Sequence, residues 1–401
     1  MIFDALLLQL GYNATLVSIG AALLGAAAGI TGTFLFLRKR ALVADAVSHA
    51  TLPGVCIAFL VMALLGGDGR NLPGLLIGSA LSAWAGLWCL NWLTLRTRLA
   101  EDAAIGAILS TFFGFGVVLL TVIQTAGIGR QAGLEGFLLG STAGMLLSDA
   151  LLIAGGGAAA LVIIAITRRA LILVSFDPEY ASTQGINVPQ IDMLMMGLVM
   201  AVTVIGLKIV GLILIVALLI IPAVTARFWS ERSEHVVLLA GGFGALASYV
   251  GAAVSASAPN LPTGPLIVLM SAALFVFSLF FAPNRGVLAA VIRQRHFQRR
   301  VHLRQGLLAL AQGQPIYEAL TLRLLGREGL VRADGVATSL GRGRAAKALL
   351  DEKRWEILRR DHAHESSADL YDGLRNIETV LTPDEIRAID AKLGTPQEVT
   401  A

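Results

Sequence analysis

A carboxylate and an imidazole, Asp45 and His49, stand four residues apart in the stretch from Arg38 to Gly54, inside an otherwise apolar run. On a helix the two side chains share a face. An oxygen ligand paired with an imidazole nitrogen suits borderline divalent ions of the first transition row, such as Mn2+, Fe2+ or Zn2+, whereas thiolates would point to softer ions. Two ligands are too few to hold such an ion, so a second subunit facing the first, or water, has to complete the shell. A site on a conduction path must also bind weakly enough to release its ion. On spacing alone a plainer arrangement is ahead: Asp45 capping a helix start and His49 satisfied by a backbone carbonyl.

What surrounds the pair raises the stakes. The chain has 401 residues, of which 56% are hydrophobic and 14% charged, and it contains 43 glycines. That is too apolar for a water-soluble chain of this length and defines an integral membrane protein. An ionisable pair at membrane depth is costly unless it faces a bundle interior, a cavity or an ion. Cys56 and Cys89 lie within apolar runs, suggest neither a disulfide framework nor metal spacing, and are read as small core residues. Of the 31 basic and 27 acidic residues, 24 fall in residues 1–284 and 34 in the remaining 117, which marks a domain boundary near Arg285. The net charge of +4 is small and mixed in sign, and does not by itself argue for nucleic acid.

Apolar runs long enough to cross about 30 Å of hydrocarbon occur at 14–37, 50–66, 73–95, 103–125, 147–167, 236–256 and 262–282. A longer run, 193–226, would reach about 50 Å as one helix and contains Gly206, Lys208 and Gly211, so it is expected to break into two passes. Arg38 to Arg40, Arg96 and Arg98, Arg168 and Arg169, Arg227 and Arg232, and Arg285 and Arg293 follow every second span. Because cytoplasmic loops hold the Lys and Arg, this alternation predicts about nine spans with the N-terminus outside and the C-terminus in the cytoplasm. Gly25 with Gly29, Ala27 with Thr31, and Gly155 to Ala159 show the small-xxx-small spacing of close helix packing. Pro53, Pro222 and Pro265 interrupt or start spans, as in membrane proteins that line a path.

Two connections stand out. The outer one, Gly127 to Ser148, is Gly-rich and reads as a lid, a re-entrant piece or a flexible link. The cytoplasmic one runs from Ser175 through Gly185. Asp177, Pro178 and Glu179 supply an N-cap, a first helical residue and an early-turn acid, so a short helix should start there and end at Gly185. A short surface helix between two spans can dock a partner, though as a bare pattern a well-capped loop is favoured.

At this point the chain resembles a known family. Asp45, Ser48, His49, Leu52, Pro53 and Gly54; Phe176, Asp177, Pro178, Glu179, Ala181 and Gly185; and the string Val210-Gly211 through Pro222-Ala223 are, in order, similar to motifs of the permease subunits of ABC-type manganese, zinc and iron(II) importers. The resemblance covers residues 1–284 almost completely. It implies a multi-pass protein of the cell (inner) membrane that acts as a transport subunit and not as an enzyme. The implied partners are a second permease copy or paralogue, ATP-binding subunits and an extracellular or periplasmic metal-binding protein. The transported ion would be Mn2+, with Zn2+ or Fe2+ as alternatives, and no permanently bound cofactor is expected. The resemblance places the metal path on Asp45 and His49 and the contact with the ATPase on Phe176, Asp177, Pro178, Glu179, Ala181 and Gly185. The chain has no Gly-x-x-x-x-Gly-Lys-Ser/Thr loop, so ATP hydrolysis belongs to another polypeptide.

Residues 285–401 depart from a plain permease. Arg285 to Arg304 reads as a basic juxtamembrane helix lying near anionic membrane lipid. Beyond it the chain resembles a fragment of the metal-dependent iron and manganese repressors. Leu325 to Arg332 is similar to the end of a recognition helix, Ala337 to Ala345 to the strand and helix after a wing, and Trp355 to Leu358, Asn376 to Thr379 and Leu381 to Glu385 to the dimerisation part. Where those repressors keep metal-binding histidines and a cysteine, this chain has Glu352, Tyr371, Arg375 and Thr379, and only Glu356 and Glu378 remain. The resemblance therefore implies a winged-helix-like tail without metal sensing. Arg323, Arg327, Arg332, Arg342 and Arg344 form a basic face for which solvation is favoured over nucleic acid.

The expectation is thus an all-α polytopic transmembrane helical bundle over 1–284, followed by a small cytoplasmic tail. Its leading function is that of a permease for an ATP-driven importer of divalent metal. A permease fused to a DNA-binding regulator of metal homeostasis and an ion-coupled secondary metal transporter are the alternatives.

Overall fold

A computed structural model of the chain describes residues 7, 11–66, 71–126, 147–258, 261–332, 334–361 and 371–393. The Gly-rich outer connection lies almost wholly outside the described residues. The chain falls into two compact units, Met1–Ala289 and Ala290–Ala401.

The first unit is a bundle of α1 (Tyr12–Leu37), α2 (Ala41–Leu64), α3 (Leu72–Arg96), α4 (Glu101–Ala126), α5 (Leu147–Phe176), the short α6 (Pro178–Thr183), α7 (Val188–Val210), α8 (Leu212–Trp229), α9 (Ser233–Ala256) and α10 (Thr263–Phe281). Among the described residues eight of these helices are long and apolar enough to cross a membrane. The ninth apolar helix, α8, has 18 residues, one fewer than α10, and spans about 27 Å. The long apolar run does break in two, at Gly211. There φ is +85° and ψ 167°, a backbone conformation essentially reserved for glycine, and the one residue ends α7 and opens α8. Two helices begin or end beyond their apolar runs. α2 starts at Ala41, nine residues before the run at 50–66. α5 continues to Phe176, so Arg168 and Arg169 are helical residues and not loop residues. Its length of 30 residues, about 45 Å, exceeds what hydrocarbon alone requires.

Helix α1 is the spine of the bundle, packed on α9, α8 and α5, while α2 packs on α3 and α4. Small residues allow this. A Cβ on Gly25 would lie 2.2 Å from the Gly244 carbonyl oxygen, one on Gly29 2.3 Å from that of Ala240, and one on Gly32 1.8 Å from that of Leu219. The Gly25/Gly29 spacing therefore marks a backbone-to-backbone contact, whereas a Cβ on Gly155 meets nothing within 4 Å. Gly25→Val is accordingly expected to destabilise the bundle by about 3 kcal/mol, at the upper end for overpacking, and Gly155→Ala to leave it unchanged. Thermal unfolding of the two variants in detergent checks this, and equal midpoints would remove the close contact from the account.

In the second unit, α11 (Val287–Ala311, which begins in the first unit), α12 (Ala319–Arg327), α13 (Ser339–Asp361), a 3-10 turn (Ile377–Thr379) and α14 (Pro383–Leu393) carry two small cores. Leu325, Leu330 and Val331 form one, with Leu303 and Leu307 against it; Trp355, Leu358, Ile377 and Ile389 form the other. Between α12 and α13 a tight hairpin turns at Gly335, with a single antiparallel bridge from Val331 to Ala337. Buried Asp351 accepts from the Ile377 amide at 2.9 Å and from Arg304 at 2.7 Å, which satisfies its charge in place.

Candidate metal path and short connecting helix

Because α2 already begins at Ala41, Asp45 and His49 both lie within its helical turns, and Asp45 is not the residue that caps it; Arg40 occupies that position. His49 Nε2 lies 3.3 Å from Asp45 Oδ1, with the His49 side chain 16% exposed and that of Asp45 37%. The imidazole is fixed from the other side by Phe113 of α4, whose ring meets it edge-on with centroids 4.7 Å apart. The second ring nitrogen, Nδ1, is buried and has no hydrogen-bond partner. In the tautomer that donates from Nε2 to Asp45, Nδ1 keeps its lone pair free for an electrophile. The arrangement in which His49 is satisfied by a backbone carbonyl is thus not the one found.

The rest of α2 keeps the pair apart from competing groups. Ser48 Oγ donates back to the Asp45 carbonyl at 2.9 Å and Thr51 Oγ to that of Ser48 at 2.5 Å, so neither hydroxyl is offered to the site. Pro53, inside the helix, has no N–H to return to the His49 carbonyl four residues earlier, so that oxygen loses its helical donor on the same turn as the imidazole. Asp45 and His49 thus bring a carboxylate, an imidazole nitrogen and a freed carbonyl oxygen to one stretch of helix. Among the described residues no third His, Cys, Asp or Glu joins them. An apolar cavity of about 700 Å³ continues along α2, lined by Pro53, Gly54, Ile57, Gly78 and Phe115.

The other sequence-marked element is α6. Asp177 is its N-cap, with Oδ1 accepting from the Tyr180 amide at 2.8 Å, and Pro178 is its first residue. It ends where Gly185 takes φ +79° and the Ile186 amide closes on the Ala181 carbonyl at 3.1 Å. Ala181 is fully buried and ties the helix down, while Phe176 and Tyr180 are more than half exposed and Glu179 is also exposed. An anchored helix displaying two aromatic rings and a carboxylate is a surface suited to contact.

Three residues near these elements escape sequence reasoning. Phe113 is one apolar residue among many, and nothing in its spacing marks it as the ring against His49. Glu101 and Asp192 receive the Arg38–Arg40 cluster: Arg38 pairs with Asp192 at 2.9 Å and Arg40 with Glu101 at 2.8 Å. A signal for Asp192 does exist, since it is the only acidic residue between Glu179 and Glu231. In the sequence the basic cluster marks orientation alone.

In the tail, Glu352 is held by Arg304 at 3.2 Å and by the Tyr371 hydroxyl, Glu378 by Lys347 at 3.2 Å and Arg354 at 3.7 Å, and the Thr379 hydroxyl donates to the Asn376 carbonyl. Glu356 is exposed. Burial, and then the bond to Glu352, push the Tyr371 hydroxyl above its ordinary pKa. Protein cations and a phenol, then, occupy Glu352 and Glu378.

An apolar helical bundle carrying an ionisable pair inside one of its helices has the architecture of a multi-pass membrane protein. Residues 12–282 match the ABC 3 transport family. The chain is 40% identical over 309 residues to the manganese transport system membrane protein MntC of Bacillus subtilis (strain 168), covering 77% of this chain and 70% of that protein. It is 37% identical over 284 residues to the zinc transport system membrane protein TroC of Treponema pallidum (strain Nichols), covering 71% and 94%. The solved structure of PsaBC from Streptococcus pneumoniae in complex with Fab superposes with a TM-score of 0.62 at 32% identity, over 71% of this chain and 98% of that one. The chain belongs to the ABC 3 transport family.

Proposed function

We propose that the chain is the permease subunit of an ATP-driven importer of divalent transition metal ions, with Mn2+ favoured over Zn2+ and Fe2+, and that Asp45 and His49 line the path. The observation that carries this reading is the pair itself: a carboxylate and a largely shielded imidazole inside a membrane helix, with Nδ1 left without a partner. The named substrates of the relatives, manganese and zinc, fit the same oxygen-and-nitrogen donor set. A second permease copy or paralogue would supply the remaining ligands. The energy would enter through separate ATP-binding subunits docking on α6, and the ion would arrive from an extracellular or periplasmic metal-binding protein. In this reading the N-terminus lies outside and the C-terminus in the cytoplasm, with residues 1–284 as the permease and 285–401 as an appended cytoplasmic domain of degenerate repressor type. The exposed apolar and basic side chains at the start of α11, Leu288, Ile292, Arg293 and Arg295, suit an anionic lipid surface. Nucleic acid is not favoured as a ligand of the tail, because Arg299 and Arg344 are already paired with Glu328 and Arg323 donates to a carbonyl of its own helix.

Uptake into cells expressing the full importer, measured for Mn2+ with each of the other ions in competition, tests the reading. Mn2+ should accumulate, with Zn2+ and Fe2+ competing less effectively. Uptake that persists without any ATPase partner and collapses with the proton gradient would replace it with an ion-coupled transporter.

A further inference from the structure

Arg38 is the C-cap of α1 and Arg40 the N-cap of α2, with Lys39 between them at φ +60°, in the left-handed region that side chains avoid. Such a conformation persists where its surroundings over-determine it. Here the surroundings are ionic. Arg38 donates from Nε and Nη2 to the two carboxylate oxygens of Asp192 at 3.2 and 2.9 Å, and from Nη1 to the Val174 carbonyl at 2.9 Å. Arg40 reaches the same carboxylate at 3.4 Å and Glu101, at the start of α4, at 2.8 Å. The Arg38 and Asp192 side chains are only 15% and 16% exposed, so water does not compete well for the pair.

The placement of these partners is the telling feature. Val174 lies in the last turn of α5 and Asp192 one turn into α7, so Arg38 grips both helices between which α6 is slung. Arg40 opens the helix that carries Asp45 a little more than one turn further on. We propose that Arg38, Arg40 and Asp192 form a positioning clasp that carries movement of α6 to Asp45 and His49. A bidentate guanidinium–carboxylate fork fixes orientation as well as distance, so a tilt of α5 or α7 at this end is imposed on the start of α2. Glu101, bound by the same Arg40, brings α4 and with it Phe113 into the same movement. The clasp rests on the reading of α6 as the docking site of the ATPase.

The test uses the whole importer, with its ATP-binding subunits, in proteoliposomes, and measures ATP hydrolysed per metal ion taken up. A purely structural role would lower the amount of assembled complex and leave this ratio alone. Asp192→Asn keeps shape but loses the charge, and the ratio is expected to rise about fivefold or more, as for the loss of an ordinary coupling between sites. If Asp192→Asn does not assemble, Arg40→Gln, which leaves the Arg38 fork in place, is read in the same way. An unchanged ratio in the variant that assembles overturns the clasp. Glu179→Lys, on α6 itself, separates the two readings: normal transport in that variant removes the docking role of α6, whereas lost transport there with a normal ratio in Asp192→Asn removes the clasp alone.

Discussion

Asp45→Ala and His49→Ala are each expected to reduce metal uptake to the level of vesicles lacking the protein, with its amount in the membrane little changed. Neither change threatens α2, since alanine is the strongest helix former, and Asp45 is more than a third exposed, so its removal opens no sealed core cavity. What is lost is chemistry. Without Asp45 the negative charge that offsets a dication is gone and His49 Nε2 has no partner to hold the ring. Without His49 the nitrogen ligand disappears, together with the ring on which Phe113 rests. Asp45→Asn should fall between, because it keeps an oxygen and the shape but not the charge. Radiolabelled metal uptake normalised to protein by immunoblot decides the matter, and uptake at the wild-type rate in both alanine variants would move the path elsewhere.

The second large effect belongs to α6. Glu179→Lys reverses a charge on an exposed face whose aromatic neighbours Phe176 and Tyr180 are also free to make contact, and transport should be lost while metal still binds at Asp45 and His49. Gly185→Val should act through the backbone. The position has open space around it, so no clash is involved, but φ +79° puts a side-chain-bearing residue in the left-handed region at about 1–2 kcal/mol, with a β-branched residue at the unfavourable end. Enough strain to re-aim a six-residue helix should impair coupling without unfolding the bundle. Coupling requires contacts that differ between two states of the ATPase. If both variants retained their ATP-binding subunits and transported metal normally, the connection after Arg96 would become the next docking candidate.

Much of the architecture was legible because it follows from local physics. Apolar runs located the membrane helices, Gly206, Lys208 and Gly211 bracketed the break between α7 and α8, which falls at Gly211, and Asp177, Pro178 and Gly185 delimited α6, whose last helical residue is Thr183. The start of α2 was obscured by the feature that makes it interesting: polar residues at 45, 48 and 49 interrupt the apolar run while fitting the helix without difficulty. The spacing rule for small residues could not distinguish Gly25, pressed on a neighbouring backbone, from Gly155, facing open space, since the difference lies in the partner helix. For the same reason the pairing of Arg38 with Asp192, 154 residues away, and the ring of Phe113 beside His49 were out of reach. Each depends on which helices become neighbours, and periodicity within one helix does not encode that.

The contact between α1 and α9 also sorts the bundle into stiff and pliable parts. At Gly25 and Gly244 there are no side chains to act as bearings, and each carbonyl sits where the other residue's Cβ would be. A slide of even a fraction of a turn would drive peptide planes into one another, so these two helices travel as a single beam. Opening and closing of a passage must then be taken up where side chains separate the backbones, as they do between α2 and α4, where Leu52 lies against Gly116 and His49 against Phe113. Gly54 and Gly78 make the same backbone contact between α2 and α3, so movement of the helix that carries Asp45 and His49 falls to its contact with α4, and a cross-link between α1 and α9 should be harmless where one between α2 and α4 would lock the protein.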